Sequence, residues 1–182
     1  MDVAPRIETA RLVLRTSIPQ DLDAHAAMLG DPAVMHHLTG AGLPREDAWR
    51  RMLQGPGLWA MLGYGYWSVE RRADNRYIGQ LGFADFKRDM VPSLDGLPEM
   101  GWLFAADAQG QGFAREGVEA ALRWADEALK PAEIVAIIAP HNAPSIRLAE
   151  RTGFVRAEET AYKGEPTLVF RRRRQAETME TT

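Results

Sequence analysis

The chain of 182 residues carries 22 Lys and Arg against 25 Asp and Glu, a formal net charge of −3, and is 46% hydrophobic and 26% charged. That is the balance of an ordinary globular protein, long enough to bury about 70% of its unfolded surface around one core. It has no Cys, which excludes a disulfide framework, a thiolate zinc site and a cysteine nucleophile, and no apolar run nears the ~18 residues of a membrane span.

The opening MDVAPRIETA has neither the basic start nor the apolar stretch of a signal peptide, so a cytoplasmic protein with no membrane partner is expected. Ile7–Arg15 alternates well enough for a strand. Pro19-Gln-Asp-Leu-Asp opens a helix, and Asp31-Pro32 and Pro44-Arg-Glu-Asp repeat the signal, predicting a broken helical segment over 19–54. Strands follow at Tyr66–Arg71 and Tyr77–Phe86 around a polar turn at 73–75, then an irregular loop over 87–98 and a short strand at Glu99–Phe104. Between Gly112 and Lys130 apolar Ala114, Val118, Ala121, Leu122, Ala125 and Leu129 recur on one helical face. Glu133–Ala139 is a buried-type strand, Asn142–Thr152 a helix closed by Gly153, and two strands end the chain near 154–160 and 167–172. The order predicts an α+β fold with a largely antiparallel sheet of about seven strands and one β-α-β crossover. No linker or repeat divides it, so residues 1–182 read as one domain. Residues 171–182 read as a frayed tail whose four Arg and two Glu leave the rest of the chain at −5, no surface for nucleic acid.

The chemistry signal is Gln109-Gly110-Gln111-Gly112-Phe113-Ala114, between a strand and the strongest predicted helix. Small residues let backbone N–H groups approach an anion there, and the helix adds its unpaired first-turn donors. Glycines at a helix start also serve the turn alone, so the loop by itself decides little. No Lys-Ser or Lys-Thr follows, which rejects a Walker loop, and Arg115 stands where a dinucleotide fingerprint needs a third small residue. Other candidates have plainer readings. Adjacent His36 and His37 point to different sides of a helix, and no metal site is expected. His141 reads as a strand-end histidine. Trp59, Tyr64, Trp67 and Trp102 read either as core or as lining an acceptor pocket.

Gln109, Gly112 and Ala114 match the Q/R-x-x-G-x-G/A acyl-CoA loop of the GNAT superfamily of N-acetyltransferases. Downstream, Asn142, Ser145, Glu150, Gly153 and Phe154 resemble the N-x-x-S-x-x-x-x-E-x-x-G-F segment of the RimJ/RimL-like branch, and the opening IETARLVLR with PQDLDA is similar to that branch's first strand and helix. The resemblance spans residues 6 to about 171 and implies a GNAT-like sheet splayed between the fourth and fifth strands, here 99–105 and 133–139. It implies acetyl-CoA as co-substrate, with backbone near Leu103, Phe104 and Ala105 pairing the pantetheine arm and Gly110, Gln111, Gly112, Phe113 and Ala114 holding the pyrophosphate behind Gln109. Arg115 is either a further cation for the phosphates or a solvated surface residue. Asn142 would bond the pantetheine, and Ser145 would sit near the thioester sulfur; both also suit the cap and first turn of a helix. Ala149 occupies the position where many relatives carry the Tyr that protonates the departing thiolate, which leaves that role to Ser145, with or without water, or to no group.

An amine must be neutral to attack, so a carboxylate acting through water is wanted; Glu99 is the candidate and Asp85 the reserve, with an ordinary surface Glu as the plain alternative. The expected function is direct acetyl transfer from acetyl-CoA to a protein N-terminus or a small-molecule amine. A non-catalytic acyl-CoA sensor on the same fold is the rival, which Ala149 favours. Monomer and homodimer both stay open.

Overall fold

The computed structural model describes residues 3–36, 38 and 40–174. The elements run β1 (Ile7–Glu8), β2 (Leu12–Arg15), α1 (Leu22–Gly30), α2 (Pro32–Met35), α3 (Arg45–Leu62), β3 (Tyr66–Arg71), β4 (Arg76–Ala84), β5 (Glu99–Phe104), α4 (Phe113–Trp124), β6 (Glu133–Ile138), α5 (Ala143–Arg151), β7 (Val155–Tyr162) and β8 (Glu165–Arg173). Among the described residues they build one eight-stranded sheet, ordered β1-β2-β3-β4-β5-β6-β8-β7. All neighbours are antiparallel except β5 and β6. The expected α+β class stands. The eighth strand arises because the predicted first strand is two: a tight turn, in which the Thr9 N–H donates to the Leu12 carbonyl at 2.9 Å, separates β1 from β2.

Strand alternation sorts the core into layers. Leu12, Leu14, Ile78, Met100 and Phe104 face α4 and α5, in a cluster with Phe113, Val118 and Ala149. On the opposite face Tyr77, Leu103 and Ala105 pack under α1–α3 against Met28, Leu29 and Met35. The loop between β4 and β5 covers the other half of that face, where Met90 and Leu94 meet Val135 and Val169. Trp59 and Trp67 are core, ring against ring with Trp124.

Three expectations about boundaries change. The helix predicted to end at 54 continues to Leu62 through Gly55-Pro56-Gly57; burial of Met52, Gly55 and Trp59 on one stripe outweighs the hydrogen bond that Pro56 deletes. The predicted 112–130 helix is α-helical only to Trp124, then widens into a π-helical turn over Ala125–Leu129. The basic tail is a strand as far as Arg173. Side chains of consecutive strand residues leave on opposite faces, so Arg171 reaches Glu133 and Glu158 while Arg172 reaches Asp126 at 2.6 Å. The remaining tail residues, 175–182, lie outside the described residues.

Candidate active site

β5 and β6 are registered at a single pair, Glu99 with Val135, where the Val135 N–H donates to the Pro98 carbonyl at 3.0 Å. Beyond it they diverge. The predicted fourth and fifth strands are thus β5 and β6, and a cavity of ≈ 700 Å³ occupies the gap between them, within the size range of small-molecule sites. It runs from α4 and α5 on one face to Ala33, Val34 and Leu38, in and just beyond α2, on the other.

Which backbone groups face this gap follows from one hydrogen bond. The Ala105 N–H donates to the Ile78 carbonyl on β4 at 2.9 Å, and alternation turns the polar groups of Leu103 and Gly101 the same way. Leu103 and Ala105 therefore cannot offer backbone to a ligand in the gap, contrary to expectation. Met100, Trp102 and Phe104 face it instead, although the Phe104 carbonyl accepts a bond from Gln109 Nε2 at 3.0 Å. Gln109 thus seals the end of β5. Gln111 Nε2 likewise donates back to the Asp107 carbonyl at 2.6 Å.

The loop delivers the helix start as anticipated. Gly112 is the N-cap of α4 at φ +80, with no side-chain cap; a left-handed residue here favours glycine. The Glu116 N–H returns to the Gly112 carbonyl at 3.1 Å. Among the described residues no acceptor takes the N–H groups of Gly110 to Arg115, so the donors and the positive end of the helix are free for an anion. This start is bolted to the N-terminal segment through Glu116, which accepts bonds from the Thr9 hydroxyl at 2.6 Å, the Arg11 N–H at 2.8 Å and the Arg11 guanidinium at 2.6 Å. Burial works against its charge, but those bonds prevail and hold the Glu116 carboxyl below its ordinary value. Arg11 also lies over the Phe113 ring and donates to the Gln111 carbonyl. The partners of Glu116 sit about a hundred residues away in the chain, where no periodic pattern signals them.

Across the gap Asn142, a lining residue, caps α5, its Oδ1 accepting from the Ser145 N–H at 3.2 Å, which leaves its amide nitrogen with no partner among the described residues. Ser145 Oγ accepts from Trp102 Nε1 at 3.3 Å, so its own proton is available to another acceptor. Ala149 is fully buried in the core. Arg115 lines the rim, paired with Glu119 at 2.7 Å. Arg147 and Arg151, one turn apart on α5, line it too; that i, i+4 spacing was readable but unused. No Asp or Glu is among the lining residues described.

Both candidate bases are engaged. Glu99 is buried, with its oxygens held by the Arg88 guanidinium at 2.6 and 2.8 Å, and Arg88 lies between the Phe86 and Tyr162 rings. Asp85 accepts from the Lys87 ammonium at 2.6 Å and the Gly96 N–H at 3.0 Å. Burial opposes its charge, but these partners keep its carboxyl below the ordinary range. His36 and His141 stand edge to face, 6.0 Å between rings; His37 lies outside the described residues. No group of three or more potential metal ligands occurs among the described residues.

A family profile described as an acetyltransferase (GNAT) domain matches residues 11–155. The chain belongs to the GNAT acetyltransferase family. A putative GnaT-family acetyltransferase from Bordetella pertussis is 30% identical, covers 93% of this chain and 99% of its own, and superposes with a TM-score of 0.81. Two more distant structures share the fold: a ribosomal-protein-S5-alanine acetyltransferase from Vibrio fischeri (18% identity, TM-score 0.73, 94% and 98% of the two chains) and AAC(6')-Ib in complex with paromomycin and acetyl-CoA (20%, 0.76, 93% and 98%). No helix among the described residues is long and apolar enough to cross a membrane.

Proposed function

We propose that this acetyltransferase binds acetyl-CoA in the β5–β6 gap and transfers its acetyl group to a primary amine, with a peptide N-terminus the favoured acceptor. The observation that carries the reading is the gap itself: a parallel pair that opens after one residue, beside a helix start with unpaired donors. The residues fit the cofactor. Gly110 to Arg115 would hold the pyrophosphate with backbone N–H groups. Arg115, Arg147 and Arg151 would set positive charge along the rim for a polyanion. The gap-facing backbone of Met100, Trp102 and Phe104 would pair the pantetheine as an added strand, joined by the Asn142 amide. Bound acetyl-CoA supplies an activated thioester that a neutral amine attacks directly, the C–N bond forming as the C–S bond breaks.

The chain's own groups orient and exchange protons. Ser145, its oxygen already engaged by Trp102, gives its proton toward the departing sulfur and is reprotonated from water. Glu99, held in place by Arg88, receives the surplus proton of the acceptor through water. A wall without carboxylates gives no counter-charge for a polycation, and it favours an acceptor that is already partly neutral. An α-amine, with a pKa of about 7.7–8.0, meets that condition far better than a lysine-type amine near 10.4. These points support the RimJ/RimL-like reading, in which protein N-termini are the acceptors.

Calorimetric titration with acetyl-CoA, followed by thiol release with Ala- and Ser-initiated peptides, 1,4-diaminobutane and an aminoglycoside, tests the reading. Binding and turnover on the α-amines is the expected result; binding with no turnover on any amine would return the chain to the sensor class. Glu99→Gln should depress the rate mostly at low pH, where the amine is protonated, and a flat pH response removes Glu99 from the mechanism.

A further inference from the structure

One polar group near the gap is used neither by the fold nor by the mechanism above. Tyr66, Gly82 and Gly101 form a single row across β3, β4 and β5. Tyr66 lies along that row, and its hydroxyl ends over Gly101: a Cβ at Gly101 would stand 2.1 Å from Oη, so only glycine leaves the ring its place. Gly101 lines the cavity at the mouth of the gap, two residues past the pair at which β5 and β6 part.

The face is the informative part. Tyr66 and Ser68 share a side of β3, and Ser68 bonds Asp21 at 3.0 Å under the α1–α3 layer. Gly101 and Leu103 share the corresponding side of β5, where Leu103 packs against the same layer. The donor loop and its helix lie on the opposite face. A second substrate must come from the α1–α3 side if the two are to meet in the gap, and on that side Tyr66, itself outside the cavity lining, sets its hydroxyl against the lining residue Gly101. Among the described residues the hydroxyl has no hydrogen-bond partner. The Phe86 ring stands 6.5 Å from that of Tyr66, and the Arg88–Glu99 pair acts electrostatically on the phenol. Burial first, and the nearby Glu99 second, push the phenol above its ordinary value, against smaller opposing effects of Arg88 and Arg51. The hydroxyl therefore keeps its proton and offers its oxygen lone pairs.

We infer that Tyr66 Oη accepts a hydrogen bond from the acceptor nitrogen and turns its lone pair toward the gap, making Tyr66 a catalytic residue on the acceptor side. The inference rests on the transferase reading, since it needs an amine arriving from this face. It also gives Gly101 a reason to be glycine, since the Tyr66 side chain occupies the place of its Cβ.

The test is Tyr66→Phe, which keeps the ring and removes only the hydroxyl, assayed by thiol release from acetyl-CoA with an Ala-initiated peptide and 1,4-diaminobutane. Roughly a tenfold fall in kcat/KM for the acceptor is expected, with the Kd for acetyl-CoA and the Tm unchanged. Gly101→Ala, which moves the hydroxyl aside, should produce a similar fall in the wild-type background and little further fall on top of Tyr66→Phe. Wild-type kcat/KM in Tyr66→Phe overturns the inference and leaves the transferase standing. A fall in Tm or acetyl-CoA affinity that accounts for the whole loss also overturns it, by making Tyr66 structural. No thiol release by the wild type with either amine removes the transferase reading, and the inference with it, while calorimetry still reports whether acetyl-CoA binds.

Discussion

The two flanks of β6 are built from the same strand and could hardly differ more. Toward β8 it is registered over six residue pairs, Glu133 with Arg173 through Ile138 with Leu168, and its Ile134, Ala136 and Ile138 are buried with Phe170. Toward β5 it keeps one pair. A sheet normally hides such open backbone by pairing or covering it. Here the edge lies inside the molecule and faces a cavity, so the groups left over by folding are those a ligand can complete. The closed flank holds the strand in place; the open flank is where the proposed binding would occur. Stability and affinity should therefore respond to different substitutions.

The sharpest way to break that division is on the closed flank. Phe170→Ala, at a fully buried site, is expected to cost about 3–5 kcal/mol of stability in urea unfolding. The fraction that remains folded should bind acetyl-CoA as the wild type does; a lost affinity would show that the flanks are not separable. On the open flank Gly112→Val should lower acetyl-CoA affinity at least ~100-fold, about 2.7 kcal/mol, by calorimetry, with about 1–2 kcal/mol of stability lost to the left-handed backbone. Unchanged affinity would take the loop out of the site.

Glu116 joins the two concerns, since it fixes the helix start to the N-terminal segment. Glu116→Gln should cost roughly 1–3 kcal/mol. Because the folded carboxyl titrates below its ordinary value, that contribution is complete above the ordinary value and is lost as pH falls through the folded one. The stability difference between wild type and variant should thus shrink on acidification; a difference that grows would reverse the assignment. Smaller effects should come from proton donation. Ser145→Ala is expected to lower kcat about tenfold with acetyl-CoA affinity unchanged. Trp102→Phe, which removes the bond to Ser145 Oγ along with part of the indole that lines the cavity, should lower it about fivefold or less. If Trp102→Phe proves worse than Ser145→Ala, the indole itself contacts the substrate.

Much of this architecture could be read in advance, for reasons that are local. Strand alternation, the strong apolar stripe of α4 and the capped start of α5 are short-range patterns, and the strand carrying Glu99–Phe104 fell where it was expected. The two motifs fall on the start of α4 and the cap of α5, each of which lies within a few residues of sequence. What escaped were outcomes of packing between distant segments. Gly55-Pro56-Gly57 looks like a helix end, yet one buried stripe carries the helix through it. Arg171–Arg173 look like a solvated tail, yet three elements supply them with carboxylates. The parity of β5, which swaps Leu103 and Ala105 for Met100 and Trp102 as gap-facing backbone, depends on which neighbour each residue pairs with.

Residue order alone set the elements, the glycine turn at the start of α4 and the kinship with a transferase family, since backbone preferences and short motifs act over one or two helical turns. Three-dimensional packing decided which side of β5 stays open, that Glu99 and Asp85 are both paired with cations, and that Tyr66 reaches over Gly101. Those are contacts between segments far apart in the chain, and no local preference encodes the direction in which a strand's last unpaired edge will face.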